Sequence, residues 1–105
     1  MHAHTSKTRA SALGLYVAHG VTTVRDLGSE HAEILQWRQE INRGARVGPR
    51  LLIAGPCLES QDNIDRMRAD PVESRVEPFE RARIAIGNPE ETWRMVNQLA
   101  QTHLD

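Results

Sequence analysis

Two short runs of strand-forming residues, separated by a helical pattern, constrain this chain more than any other feature. The first is GVTTVRDLG, from Gly20 to Gly28. β-Branched valine and threonine fit a pleated surface, and the bracketing glycines punctuate the run, which predicts a strand over residues 21–25. The second is Arg50-Leu51-Leu52-Ile53-Ala54, stopped by Gly55-Pro56. Its nearly continuous apolar character is the pattern of a parallel strand covered on both faces. Between them Ile34, Trp37 and Ile41 recur at helical spacing, with Leu35 beside them. Ser29 is the expected cap, Glu30 and Glu33 suit the positive end of the helix dipole, and Arg43 and Gly44 close the helix. A strand, a helix and a second strand in this order imply parallel pairing through a right-handed crossover.

The flanking segments extend that alternation. Ala10, Leu13, Tyr16 and Val17 predict a helix over residues 7–19, capped by Thr5 or Ser6 and ended by Gly20. Gly14 weakens that helix by about 1 kcal/mol relative to alanine, unless close packing requires a missing side chain there. Asn88-Pro89-Glu90-Glu91 is a strong helix start, with asparagine at the cap, proline in the first turn and glutamate three residues on. Trp93, Val96, Leu99 or Ala100, and His103 continue one face of that helix. Residues 83–86 form a brief extended piece. Residues 57–81 are polar and charged, with Asp62 as the expected cap of a short helix through Met67; the stretch is too long for an ordinary connection and reads as a long loop that is a lid, an insertion or a disordered segment.

Composition narrows the function classes. The chain has 105 residues and a formal net charge of -1, enough for one domain with a modest core. Charges of both signs are mixed and aromatic residues are few, which argues against a nucleic-acid surface. No apolar run approaches membrane-spanning length, and the amino terminus lacks the apolar core of a secretory signal. Cys57 is the single cysteine, so no internal disulfide forms, and a cytoplasmic location is expected. No GxGxxG or GxxxxGK[ST] pattern follows a strand, which disfavours nucleotide binding.

The chemistry-bearing stretch is Met1-His2-Ala3-His4. On a strand, His2 and His4 point to one side, about 6.5–7 Å apart along it, and two imidazoles on one face suit a divalent metal. His19, His31 and His103 fit capping, surface or packing roles better than ligation. Cys57 has no partner at a telling spacing and reads as a small buried residue. Trp37 and Trp93 read as core. The arginines from Arg66 to Arg83 alternate with acids, as on a solvated surface. Arg25 and Asp26 fall at a strand end, where support of a site or substrate contact competes with a salt bridge or a helix-entry cap.

Taken together, Met1-His2-Ala3-His4, GVTTVRDLG from Gly20 to Gly28, GPRLLIAGP from Gly48 to Pro56 and, more weakly, the helix opening at Asn88 resemble the metal-dependent amidohydrolase superfamily. The similarity is to its branch of imidazolonepropionase-like enzymes and Xaa-Pro dipeptidases. The resemblance implies a (β/α)8 TIM barrel with parallel strands and crossover helices, of which residues 1–105 are an incomplete amino-terminal part covering about three βα units. It implies that His2 and His4 are metal ligands, with zinc the expected ion, one or two per intact enzyme. It implies hydrolysis of amide, cyclic amide or peptide-like C–N bonds in a small-molecule or dipeptide-like substrate, with homo-oligomers allowed.

Departures from the family pattern are equally specific. The family's aspartate two residues before the first histidine has no counterpart ahead of His2. Its bridging lysine on strand four, its later histidine ligands and its catalytic aspartate are absent. No catalytic residue is therefore assigned within the chain, and an incomplete, inactive piece of a hydrolase is expected. The alternative is a small non-enzymatic α/β interaction domain in which the two histidines are incidental; it predicts a cooperative, monomeric fold.

Overall fold

The computed structural model describes residues 1–5, 9–71, 81–102 and 104–105. Among the described residues the elements follow in the order β1 (His2–Ala3), α1 (Ala12–Ala18), β2 (Thr23–Asp26), α2 (His31–Asn42), β3 (Arg50–Ile53), β4 (Cys57–Ser60), α3 (Gln61–Ala69), β5 (Arg83–Ile86) and α4 (Pro89–Ala100). The first three strands form one parallel sheet in the order β1-β2-β3, and β4 and β5 form a second parallel pair. The class is α/β with parallel strands.

Register assigns the faces of the first sheet. Ala3, Asp26 and Ile53 share one rung, and His2, Arg25 and Leu52 share the next. Successive side chains alternate across a strand, so Val24, Asp26, Leu51 and Ile53 lie on one face. That face is covered by Leu13 of α1 and by Ile34 and Trp37 of α2, which with Val24, Leu51 and Ile53 make the core. His2, Arg25 and Leu52 therefore stand on the opposite face, and His2 and Arg25 are exposed there.

Several expected boundaries shift for local reasons. The first helix begins at Ala12, with Ser11 at its cap position and no side-chain cap bond. Thr5 does not cap it, because its hydroxyl bonds Asp26, and Arg9 adopts φ 66°, which breaks a helical path just before Ser11. Ser6 lies outside the described residues. In α2 the cap is Glu30 rather than Ser29, since Glu30 accepts from the backbone of Ala32 and Glu33 while Ser29 is engaged by Asp26. At the other end of α2, hydrogen bonds from Gln36 and Arg46 hold the Glu40 carboxyl below the usual carboxylate range.

The larger correction concerns residues 57–81, expected to be a loop or lid. Cys57–Ser60 is a strand paired in parallel with Arg83–Ile86, and Gln61–Ala69 is a helix whose cap is Ser60, not Asp62. Residues 72–80 lie outside the described ones. The Asn88 cap stands as expected: its side chain accepts from the Glu91 backbone at 2.9 Å, and Glu91 in turn accepts from Gly87. Trp93 is not core; it is 70% exposed, and α4 buries none of its residues. His103 is outside the described residues. After α4 the chain returns to the outer edge of β3, where the Asp105 backbone donates to Ile53 and its carboxylate accepts from both Ile53 and Arg38.

Candidate metal centre

Strand β1 is two residues long and is held by β2 at both ends. The Arg25 backbone donates to Met1 at 2.7 Å, and the Leu27 backbone donates to Ala3 at 3.0 Å. Alternation along this edge sends His2 and His4 to the same side. Their rings meet edge to face, with centroids 5.2 Å apart and planes at 73°. The two Nε2 atoms are 3.4 Å apart, closer than the backbone rise alone separates them, because the rings lean toward each other.

That separation is a test of the donor set. Two imidazole nitrogens, each about 2.0–2.1 Å from one zinc ion and subtending a tetrahedral angle, stand about 3.3–3.4 Å apart. The 3.4 Å between the two Nε2 atoms matches that distance. Among the described residues no group of three or more His, Cys, Asp or Glu side chains gathers around one point, so the two imidazoles stand together without a third donor of these types. His4 Nδ1 is buried and has no hydrogen-bond partner among the described residues. A metal-bound histidine ordinarily donates from its second nitrogen, and that acceptor is the feature these residues leave unfilled.

The wall behind His4 is Gly28. Its φ of 109° favours glycine, and a Cβ there would lie 2.6 Å from Cys57 Sγ and 3.7 Å from His4 Nδ1. The thiol of Cys57, at the start of β4, and the His4 ring, just past the end of β1, thus approach the same residue. Cys57 is half-buried rather than fully enclosed. Sequence spacing gives no hint of this neighbourhood, because the three residues come from three separate strand ends.

Asp26 and Arg25 divide between the faces. Arg25 shares the face of His2 and is exposed. Asp26 is fully buried on the helix side, and its Oδ1 accepts from the Ser29 backbone at 3.0 Å, as a helix-entry turn does. The other histidines stay apart from the pair in role: His19 is exposed at the end of α1, and His31 opens α2 with both ring nitrogens buried and without partners among the described residues.

An α/β unit carrying paired histidines at the end of its edge strand is the class of protein that these features define. In a comparison with solved structures, the chain resembles the crystal structure of a protein from Bifidobacterium longum provisionally named a prolidase, with a TM-score of 0.66 and 28% sequence identity. The match covers 98% of this chain and 23% of that one. No family model matches the chain, and no curated protein matches it. No helix among the described residues is long and apolar enough to cross a membrane.

Proposed function

We propose that this chain is the metal-binding amino-terminal part of a peptidase-like hydrolase that cleaves C–N bonds of dipeptide-like substrates, with His2 and His4 as its first two metal ligands. The observation that carries the reading is the 3.4 Å separation of their Nε2 atoms, joined by the structural likeness to a protein provisionally named a prolidase. Further support comes from α1 and α2 packing on the same face of the sheet, the one opposite His2 and Arg25 among the described residues. A barrel wall has helices outside and functional side chains inside, whereas an open doubly wound sheet is covered on both faces. His2, Arg25 and Leu52 occupy the other face.

The role of each residue follows from position. His2 and His4 would hold a divalent ion, zinc foremost, and a bound ion lowers the pKa of water and polarises a scissile carbonyl. Arg25, one strand inward on the same face, is placed to meet an anionic group of a substrate. No described residue stands as a general base beside the pair, so the chain alone is expected to leave Xaa-Pro dipeptides intact.

Titration of the chain with cobalt(II), followed by its visible absorption, tests the reading. One tetrahedral-type site is expected, lost in His2→Ala and in His4→Ala. Binding that survives both substitutions, or a chain that takes up no metal, overturns it. The interaction-domain alternative predicts the second result.

A further inference from the structure

Asp26 is a fully buried carboxylate at the end of β2, away from the face of the histidine pair. A buried charge or polar group is costly unless hydrogen bonds replace its lost water. Here four donors do so. Oδ2 accepts from the Thr5 backbone at 2.7 Å, from the Thr5 hydroxyl and from the Ser29 hydroxyl at 2.6 Å, and Oδ1 accepts from the Ser29 backbone at 3.0 Å. The hydroxyls of Thr5 and Ser29 are themselves 3.4 Å apart. Hydrogen bonds of this kind to a charged acceptor are the strong ones.

Two of those bonds concern Thr5, the residue that follows His4. On the other side of His4, the carbonyl of Ala3 is held by Leu27 at 3.0 Å. The backbone of His4 is therefore bracketed by one sheet bond and one carboxylate bond, just where the regular pairing of β1 ends. A free strand end would leave φ and ψ of His4 unconstrained, and drift in φ would swing its ring away from His2. We propose that Asp26 is a positioning residue for the metal pair: by gathering Thr5 it fixes the backbone on both sides of His4 and so sets the distance between the two imidazoles. The proposal rests on the metal-binding reading of His2 and His4. Ser29 ties the same carboxylate to the entry of α2, so that the strand end is anchored to the covered face of the sheet.

The test uses the full chain with Asp26→Asn, Thr5→Val and Thr5→Ser. Asp26→Asn keeps the shape and removes the charge; Thr5→Val keeps the shape and removes one donor; Thr5→Ser keeps the donor and removes a methyl group. Cobalt affinity is expected to fall about tenfold in Asp26→Asn and in Thr5→Val, the usual order for a residue that orients a ligand, with the visible spectrum altered. Thr5→Ser is expected to restore the affinity. A purely packing role for Thr5 predicts the reverse order, with serine the worse substitution. Wild-type affinity and spectrum in folded Asp26→Asn or Thr5→Val overturn the proposal. Should the unaltered chain bind no cobalt, the metal reading fails by itself, and contacts between the His2 and His4 ring protons, read by nuclear Overhauser effects in the metal-free chain, still decide the matter. Loss of those contacts in Thr5→Val supports positioning by Asp26, and their persistence refutes it.

Discussion

The half of the molecule built on β1, β2 and β3 and the half built on β4, β5, α3 and α4 use the same elements with different success. In the first, Leu13, Val24, Ile34, Trp37, Leu51 and Ile53 close into one core. In the second, Ile64 and Ala82 are the buried hydrophobic side chains among the described residues, and α4 lies over the surface with Trp93 outward. Both halves have parallel strands and capped helices, so secondary structure is not the difference. What differs is whether each helix has an apolar partner for its apolar stripe, and most helical stability in proteins comes from that partnership. The histidine pair belongs to the well-packed half.

The largest expected effect breaks this contrast if it fails. Ile34→Ala should cost about 2–5 kcal/mol in denaturant unfolding, as deletion of a buried aliphatic side chain does. Trp93→Ala should change stability by no more than about 0.5 kcal/mol, despite removing a larger side chain. Equal costs would mean that α4 is packed after all.

A middle-sized effect sharpens the comparison. Asn88→Ala removes the cap of α4 and should cost that helix about 1 kcal/mol. Because α4 buries nothing, the loss should appear as faster amide exchange within Pro89–Ala100 while exchange in β2 and β3 is unchanged. Faster exchange in both would show the two halves opening together.

The smallest effect probes the electrostatic link between the halves. Burial, with help from Glu30, raises the Glu33 carboxyl above its ordinary range, and Arg81 pulls it back. A raised carboxyl favours the folded state only while protonated, so its contribution is present at low pH and is lost as pH rises through the folded value. Glu33→Gln should therefore raise the melting temperature slightly at neutral pH and have no effect once the pH is below the ordinary glutamate range. Arg81→Gln should push the Glu33 titration, followed by NMR, further upward; an unmoved titration would detach Arg81 from α2.

How much of this was legible in the residues depends on whether the cause was local. Val24, Leu51 and Ile53 declare themselves by β-branching and apolar runs, and the parallel pairing of their strands follows from the helix between. The Asn88 cap is a local pattern and stands as read. The strand Cys57–Ser60 carries no such signal: Cys-Leu-Glu-Ser has no β-branched residue, and its partner lies at Arg83–Ile86. Trp93 has helical periodicity, which fixes its face but cannot say whether anything covers it. At the candidate site, the His2–Ala3–His4 spacing announced a shared face. The bond from the Ser29 backbone to Asp26 was legible as a helix-entry cap, whereas the hold of Asp26 on Thr5 was hidden, because Thr5 comes to it from a strand end 21 residues away.

Gly28 couples three positions that are remote in sequence. A methyl group there would strike the Cys57 sulfur and lie in van der Waals contact with the His4 imidazole, on a backbone that side chains rarely adopt. Among natural variants of this chain, residue 28 is thus expected to stay glycine even in lineages where position 57 is smaller, because relieving the contact leaves the backbone strain in place.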